Sequence, residues 1–89
     1  MLRISEIHTT KDHVTLLLEG QISSASTTIV REATENLLTQ GCQVTLDLSG
    51  VLFADRSGIA LLRELQQRQV ALIHGSPFLK EQLKAPTAS

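Results

Sequence analysis

The sequence has only one cysteine, Cys42, among its 89 residues. A single cysteine excludes an internal disulfide and a cysteine-rich metal site. The three histidines, His8, His13 and His74, show none of the spacings typical of metal ligands. We therefore expect a domain without a metal or other cofactor, and we interpret Cys42 as a small apolar residue at the start of a strand.

The sequence also lacks an excess of charge and long apolar runs. Eight basic and nine acidic residues leave a net charge of −1, which gives no indication of binding to nucleic acid or to a membrane surface. No apolar run approaches the roughly 18 residues that a membrane-spanning helix needs. No charged and then apolar leader opens the sequence. These absences predict a cytoplasmic protein that does not insert into a membrane.

Common catalytic motifs are missing as well. The sequence has neither the Gly-x-Ser-x-Gly nucleophile elbow nor the Gly-x-x-x-x-Gly-Lys phosphate loop, and its length leaves little room for a substrate pocket. An enzymatic alternative would be a hydrolase that uses Ser57, Asp55 and a histidine. A second alternative is a receiver-like domain phosphorylated on Asp47, but Glu6 and Glu19 do not supply the acidic pair that such a domain needs to hold a metal. We therefore predict that the chain is not an enzyme.

The sequence does contain a regular succession of strand-like and helix-like patterns. Apolar and polar residues alternate in some segments, as in strands, and apolar residues recur at three- and four-residue spacing in others, as in amphipathic helices. The predicted strands cover residues 1–8, 13–20, 44–49 and 70–73, and the predicted helices cover residues 25–40, 57–68 and 76–83.

This order, β-β-α-β-α-β-α, predicts an α/β fold with a single-layer, mixed and mostly parallel sheet of about four strands, on which the helices pack. Right-handed crossovers place the strands over residues 13–20, 44–49 and 70–73 side by side. We expect one domain over residues 1–84 and a flexible tail over residues 85–89. The apolar edge strand over residues 70–73 needs a cover, which we expect to be the last helix or a second copy of the chain in a homodimer.

The turn Asp55-Arg56-Ser57-Gly58 joins the central strand to the second helix. A helix N-terminus exposes unpaired backbone N–H groups and the positive end of the helix dipole, so it favours an anion. Asp55 or Ser57 can cap these groups, and Gly58 allows the backbone to approach a neighbour closely. Helix capping is the purely structural interpretation of the turn.

A second polar loop is expected at the same end of the sheet. Ser23 and Ser24 follow the strand over residues 13–20, and functional loops of such sheets cluster beyond the carboxyl ends of the strands. Two residues near the turn keep alternative interpretations. Phe53 either packs beneath the Asp55 turn or lies exposed on a binding face. Asp47 lies among apolar neighbours, and we expect it to accept hydrogen bonds from nearby backbone N–H groups.

Residues 44–62, with the core Asp-x-Ser-Gly at positions 55–58, resemble the core of STAS domains, the bacterial anti-sigma factor antagonists and their relatives. Residues 14–22 are similar to the second strand and following loop of that family, and the resemblance covers residues 14–73. In the family, the serine or threonine before the glycine accepts a phosphate from a partner serine kinase, which is itself the anti-sigma factor.

The resemblance implies that Ser57 is the phosphoacceptor of this chain. Unphosphorylated protein would bind the partner and free a sigma factor for transcription, and phosphorylation would break that contact. The residues that the resemblance and the position of the two loops assign to partner binding are Asp55, Arg56, Ser57, Gly58, Ser23 and Ser24.

Two departures from the family leave a second function open. Arg56 occupies a position where the family usually has serine or threonine, and its guanidinium would neutralise a phosphate on Ser57 or change what a kinase accepts. The chain ends soon after Leu83, so it resembles a C-terminally shortened member. Related STAS domains serve as accessory subunits of lipid-transport ABC systems and as parts of stress-signalling assemblies. The alternative function is therefore an unregulated interaction module.

Overall fold

A single four-stranded sheet organises the chain. The computed structural model describes residues 2–84, so the tail predicted over residues 85–89 lies outside the described residues. The strands are β1 (Leu2–Thr9), β2 (His13–Ile22), β3 (Gln43–Ala54) and β4 (Ala71–Ile73), and the helices are α1 (Ser24–Thr39), α2 (Arg56–Gln67) and α3 (Pro77–Lys84). The predicted order β-β-α-β-α-β-α is confirmed.

The strands lie in the order β1-β2-β3-β4 across the sheet. β1 pairs antiparallel with β2, whereas β2 with β3 and β3 with β4 pair in parallel. This confirms the mixed, mostly parallel sheet and the central position of β3. Because the parallel strands advance in one direction, right-handed crossovers place α1 and α2 on the same face. The two helices contact each other as well as β2 and β3.

The core lies between this face of the sheet and the helices. Its buried residues are mainly leucine and valine from alternate positions of β2 and β3 and from one side of α2, and they include Val14, Leu16, Leu18, Leu46, Leu48, Leu61, Leu62 and Leu65. Two ion pairs on the outside, Arg31 with Glu64 and Arg68 with Glu35, also join α1 to α2. These ion pairs are about two-fifths exposed, so they stabilise the packing much less than the apolar core does.

The strands β2 and β3 continue beyond their predicted ends. The sequence predicts that the strand over residues 44–49 ends at Ser49 and Gly50, but β3 runs on to Ala54 because it keeps pairing with β2 after two irregularities in register. Gly50 pairs with Glu19 at the first irregularity. A Cβ at this position would lie only 2.7 Å from Cγ of Glu19, so the close approach of the strands favours glycine. Cross-strand pairing therefore overrides the local turn signal, and it carries β2 as far as Ile22.

The edge strand β4 is shorter than predicted. It begins at Ala71, because Val70 is buried and its backbone N–H donates to the carbonyl of Leu65 at 3.0 Å. α3 packs against α2 and buries Leu79, while Ile73 at the end of β4 stays 37% exposed. A second copy of the chain at this edge remains a prediction.

Candidate functional site

Asp55 is the N-cap residue of α2. Its backbone is extended, and its Oδ1 accepts a hydrogen bond of 2.9 Å from the backbone N–H of Gly58. The backbone N–H of Asp55 donates in turn to the carbonyl of Ile22 at the end of β2, at 3.1 Å. These bonds attach the start of α2 to the neighbouring strand and confirm that Asp55 caps this helix.

The same carboxylate also reaches the start of α1. Oδ2 of Asp55 accepts a hydrogen bond of 3.2 Å from the backbone N–H of Ser24, the first residue of α1, for which Ser23 is the N-cap. Two helix N-termini therefore converge on one negative side chain. Each contributes unpaired N–H groups and the positive end of a helix dipole, so the position suits a carboxylate.

Gly58 allows α2 to approach β2 closely. A Cβ at this position would lie 2.3 Å from the carbonyl oxygen of Ile22 and 2.9 Å from its Cγ2. The expected close approach at Gly58 is therefore made by the protein's own backbone. This contact sets where the first turn of α2 lies relative to the sheet.

Ser57 and Arg56 have no such internal role. Both are exposed on the first turn of α2. Within residues 2–84 the hydroxyl of Ser57 makes no hydrogen bond, and the guanidinium of Arg56 makes neither a hydrogen bond nor an ion pair. The turn thus combines two residues that maintain its geometry, Asp55 and Gly58, with two whose side chains are directed to solvent.

The structure brings all six predicted site residues to one end of the sheet. Asp55 connects Gly58 to Ser24, Ser23 is half-buried beside them, and Ser24, Arg56 and Ser57 are exposed. Sequence reasoning missed Leu52, which is 82% exposed three residues before Asp55. Its neighbour Phe53 is 49% exposed, so the exposed alternative for this residue is the observed one. The sequence does contain a signal for these exposed apolar side chains. Residues 51–54 form an apolar run that lacks the alternation of apolar and polar residues seen in the rest of the strand.

Asp47 is a separate polar feature of β3. Its side chain is largely buried, with Oδ1 accepting the backbone N–H of Ser49 at 2.9 Å and Oδ2 lying 3.2 Å from Nδ1 of His74. Burial raises the pKa of Asp47, but the hydrogen bonds from Ser49 and the contact with His74 outweigh burial and leave the pKa below its ordinary value. The expected hydrogen bond from a backbone N–H is confirmed, whereas the contact with His74 was not foreseen.

We expect Asp47→Asn to destabilise the protein by about 1–2 kcal/mol at neutral pH, because it removes the charge from these bonds. Since folding lowers the pKa of Asp47 below 3.8, the stabilisation is complete above that value and is lost as the pH falls through the folded-state pKa. Urea unfolding of both proteins at a series of pH values from 5 down to 2 should therefore show the difference in unfolding free energy shrinking as the pH falls. A difference that is constant or grows on acidification would contradict this assignment.

Neither a metal centre nor a membrane-spanning helix is found in the described part of the chain. No group of three or more histidine, cysteine, aspartate or glutamate side chains within residues 2–84 is placed to hold a metal ion. None of the three helices is long and apolar enough to cross a membrane.

The comparisons with known proteins agree with one another on the fold. The profile of the family described as "Mlab, STAS domain" matches residues 5–85. No curated protein matches the chain significantly. The structure of the anti-sigma factor antagonist SpoIIAA in its unphosphorylated form is similar, with a TM-score of 0.68 and 21% identity over 89% of this chain and 79% of that one. An uncharacterised Shewanella loihica PV-4 protein with a SpoIIAA-like fold has a TM-score of 0.58 and 14% identity over 90% of this chain and 71% of that one.

Proposed function

The chain belongs to the STAS domain family, whose profile covers residues 5–85, and on this basis we propose that it is a non-enzymatic regulatory domain that binds a protein partner in the cytoplasm. The observation that carries the proposal is the exposed Ser57 on the first turn of α2, with a hydroxyl that has no hydrogen-bond partner within residues 2–84. We propose Ser57 as the acceptor of a phosphate from a partner serine kinase. The similar structure of an anti-sigma factor antagonist in its unphosphorylated form supports this proposal.

A phosphate on Ser57 would change the surface of the domain without unfolding it. The carboxylate of Asp55 already accepts hydrogen bonds from Gly58 and Ser24, and an exposed phosphate beside it leaves those bonds in place. The phosphate gains from the dipole of α2 and from the neighbouring guanidinium of Arg56. It also adds nearly two negative charges beside Asp55, which would repel an acidic partner surface.

The surface proposed for the partner combines polar and apolar side chains. The exposed residues Ser24, Arg56 and Ser57 supply hydrogen-bonding groups and charge, while Leu52 and Phe53 supply apolar area just before the turn. Apolar contacts at the centre of a small interface contribute most of the binding free energy. A charge added at Ser57 would then modulate a contact that these residues establish.

The alternative is an interaction module without regulation, such as an accessory subunit of a lipid-transport ABC system or a part of a stress-signalling assembly. The exposed Leu52 and Phe53 favour it, because their contact with a partner requires no phosphate. Under this alternative, Arg56 and Ser57 serve as ordinary polar contacts. The two functions therefore predict different effects of a negative charge at Ser57. The charge weakens partner binding in the regulated domain and leaves it unchanged in the unregulated module.

We expect Ser57→Asp to weaken partner binding by about 1–3 kcal/mol, because it places a second negative charge beside Asp55 in the interface. Ser57→Ala should bind as the wild type does and should take up no phosphate. The partner is first captured with wild-type protein and identified by mass spectrometry. Its affinity for the purified variants is then measured by calorimetry, and phosphate incorporation is measured by mass spectrometry of the intact chain.

The matched control is Asn36→Asp, which adds the same charge at an exposed position of α1 more than three turns from its N-terminus. It should leave the affinity unchanged. If Ser57→Asp binds as tightly as the wild type and Ser57 takes up no phosphate, the regulatory proposal fails and the unregulated module stands. Loss of binding in Asn36→Asp as well would show a general charge effect and would also contradict the proposal.

A further inference from the structure

A second concave site lies away from the Asp55 turn. A cavity of about 240 Å³ opens between β4, the C-terminal part of α2 and α3. Gln66 of α2 lines it, nine residues along the helix from Ser57, which corresponds to roughly 13 Å. The cavity is thus separate from the proposed partner surface.

The lining of the cavity combines apolar and basic side chains. Leu48, Leu72 and Leu83 provide the apolar part, and His74 and the exposed Lys80 and Lys84 of α3 provide the basic part. Asp47 contacts His74, whereas within residues 2–84 neither lysine has an acidic partner. An anion with an apolar body would match both parts of this lining.

The two lysines are unpaired within the described chain. Within residues 2–84 neither Lys80 nor Lys84 forms an ion pair or a side-chain hydrogen bond. They are four residues apart and therefore lie on the same side of α3, where two like charges repel each other. A carboxylate held between them would relieve that repulsion and form charge-assisted hydrogen bonds.

We propose that this cavity binds a small aliphatic monocarboxylate, with its carboxylate on Lys80 and Lys84 and its hydrocarbon tail on the three leucines. The volume is below the roughly 300–1,000 Å³ of sites that hold drug-sized ligands, so the ligand must be smaller than a drug-sized molecule. Transfer of that tail from water to the leucines supplies the driving force, and the lysines select for negative charge. This binding does not depend on Ser57 or on phosphorylation.

The test is a titration of the isotope-labelled full chain, followed by amide NMR, with octanoate as the probe. Shifts should concentrate at Leu72, Gly75 and Leu83, and octanol and octylamine should bind more weakly in that order because they lack the negative charge. Acetate, which has the charge but no tail, should not bind. The double variant Lys80→Gln/Lys84→Gln should weaken octanoate binding by about tenfold or more.

The control variant is Lys11→Gln, which removes one exposed lysine from the β1–β2 turn and should leave octanoate binding unchanged. All variants change exposed side chains, and an unchanged amide spectrum outside the cavity verifies that they fold. Equal binding of octanol and octanoate, shifts spread over the whole surface, or unaltered binding by the double lysine variant would each overturn the proposal. Failure of the Ser57 proposal would leave all of these readouts unchanged, so the two proposals are tested independently.

Discussion

Gly58→Ala is expected to destabilise the protein by about 2 kcal/mol. The new methyl group would lie 2.3 Å from the carbonyl oxygen of Ile22, a backbone atom that cannot move without shifting the end of β2. Overpacking of this kind costs about 1–3 kcal/mol and occasionally more. Alanine also favours the helix by up to about 1 kcal/mol over glycine, so the observed loss is smaller than the steric cost itself.

Urea unfolding followed by circular dichroism measures this loss. Gly75→Ala is the matched control, because a Cβ at Gly75 meets its nearest atoms at 3.7–3.8 Å, an ordinary contact distance. It should change the unfolding free energy by less than about 0.5 kcal/mol. Equal stability of Gly58→Ala and the wild type would show that α2 is not held against β2 at this distance.

Asp55→Ala is expected to cost a similar amount, about 2 kcal/mol. It removes the cap of α2, which is worth about 1 kcal/mol, and the hydrogen bond to Ser24, which is worth about 1 kcal/mol at this exposed position. Both bonds come from the same carboxylate, so one substitution removes the cap of α2 and one hydrogen bond at the start of α1, where Ser23 remains as the N-cap. The unfolding free energy should fall, and amide exchange should accelerate at Ser24 and Gly58.

Asp55→Asn separates the two contributions. Asparagine caps helices about as well as aspartate, but it has one carbonyl oxygen where aspartate has two carboxylate oxygens. It should therefore keep the bond to Gly58, lose the bond to Ser24, and lie between the wild type and Asp55→Ala in stability. If Asp55→Ala is as stable as the wild type, the carboxylate does not join the two helices.

Asp55 and Gly58 are unsuitable positions for substitutions that test the proposed function. Asp55 and Gly58 have structural roles that account for their presence without any partner, so their substitution would reduce binding by disturbing the fold. Arg56 and Ser57 are exposed and make no internal side-chain contact within residues 2–84. Variants of these two residues are therefore the ones that report on function directly.

Much of the fold was determined by local features of the sequence. Alternation in β2 and β3 and helical spacing in α1 and α2 predicted the elements and their order, and the right-handed crossover rule predicted the strand order. Gly41, which has a φ of +86°, follows the C-cap of α1 at the position where helices commonly end on a left-handed glycine. Asp-x-Ser-Gly marked the strand-to-helix turn, and the family profile confirms the STAS resemblance.

Tertiary structure decided the points where distant residues compete with local signals. Ser49 and Gly50 have the composition of a turn, yet β3 continues through them because pairing with β2 satisfies their backbone groups. The two bonds of Asp55, the clash that reserves position 58 for glycine, and the contact of Asp47 with His74 all join residues far apart in the chain. Local spacing in the sequence indicates single strands and helices. Which remote groups meet depends on how those elements pack, so these contacts can be identified only in the folded chain.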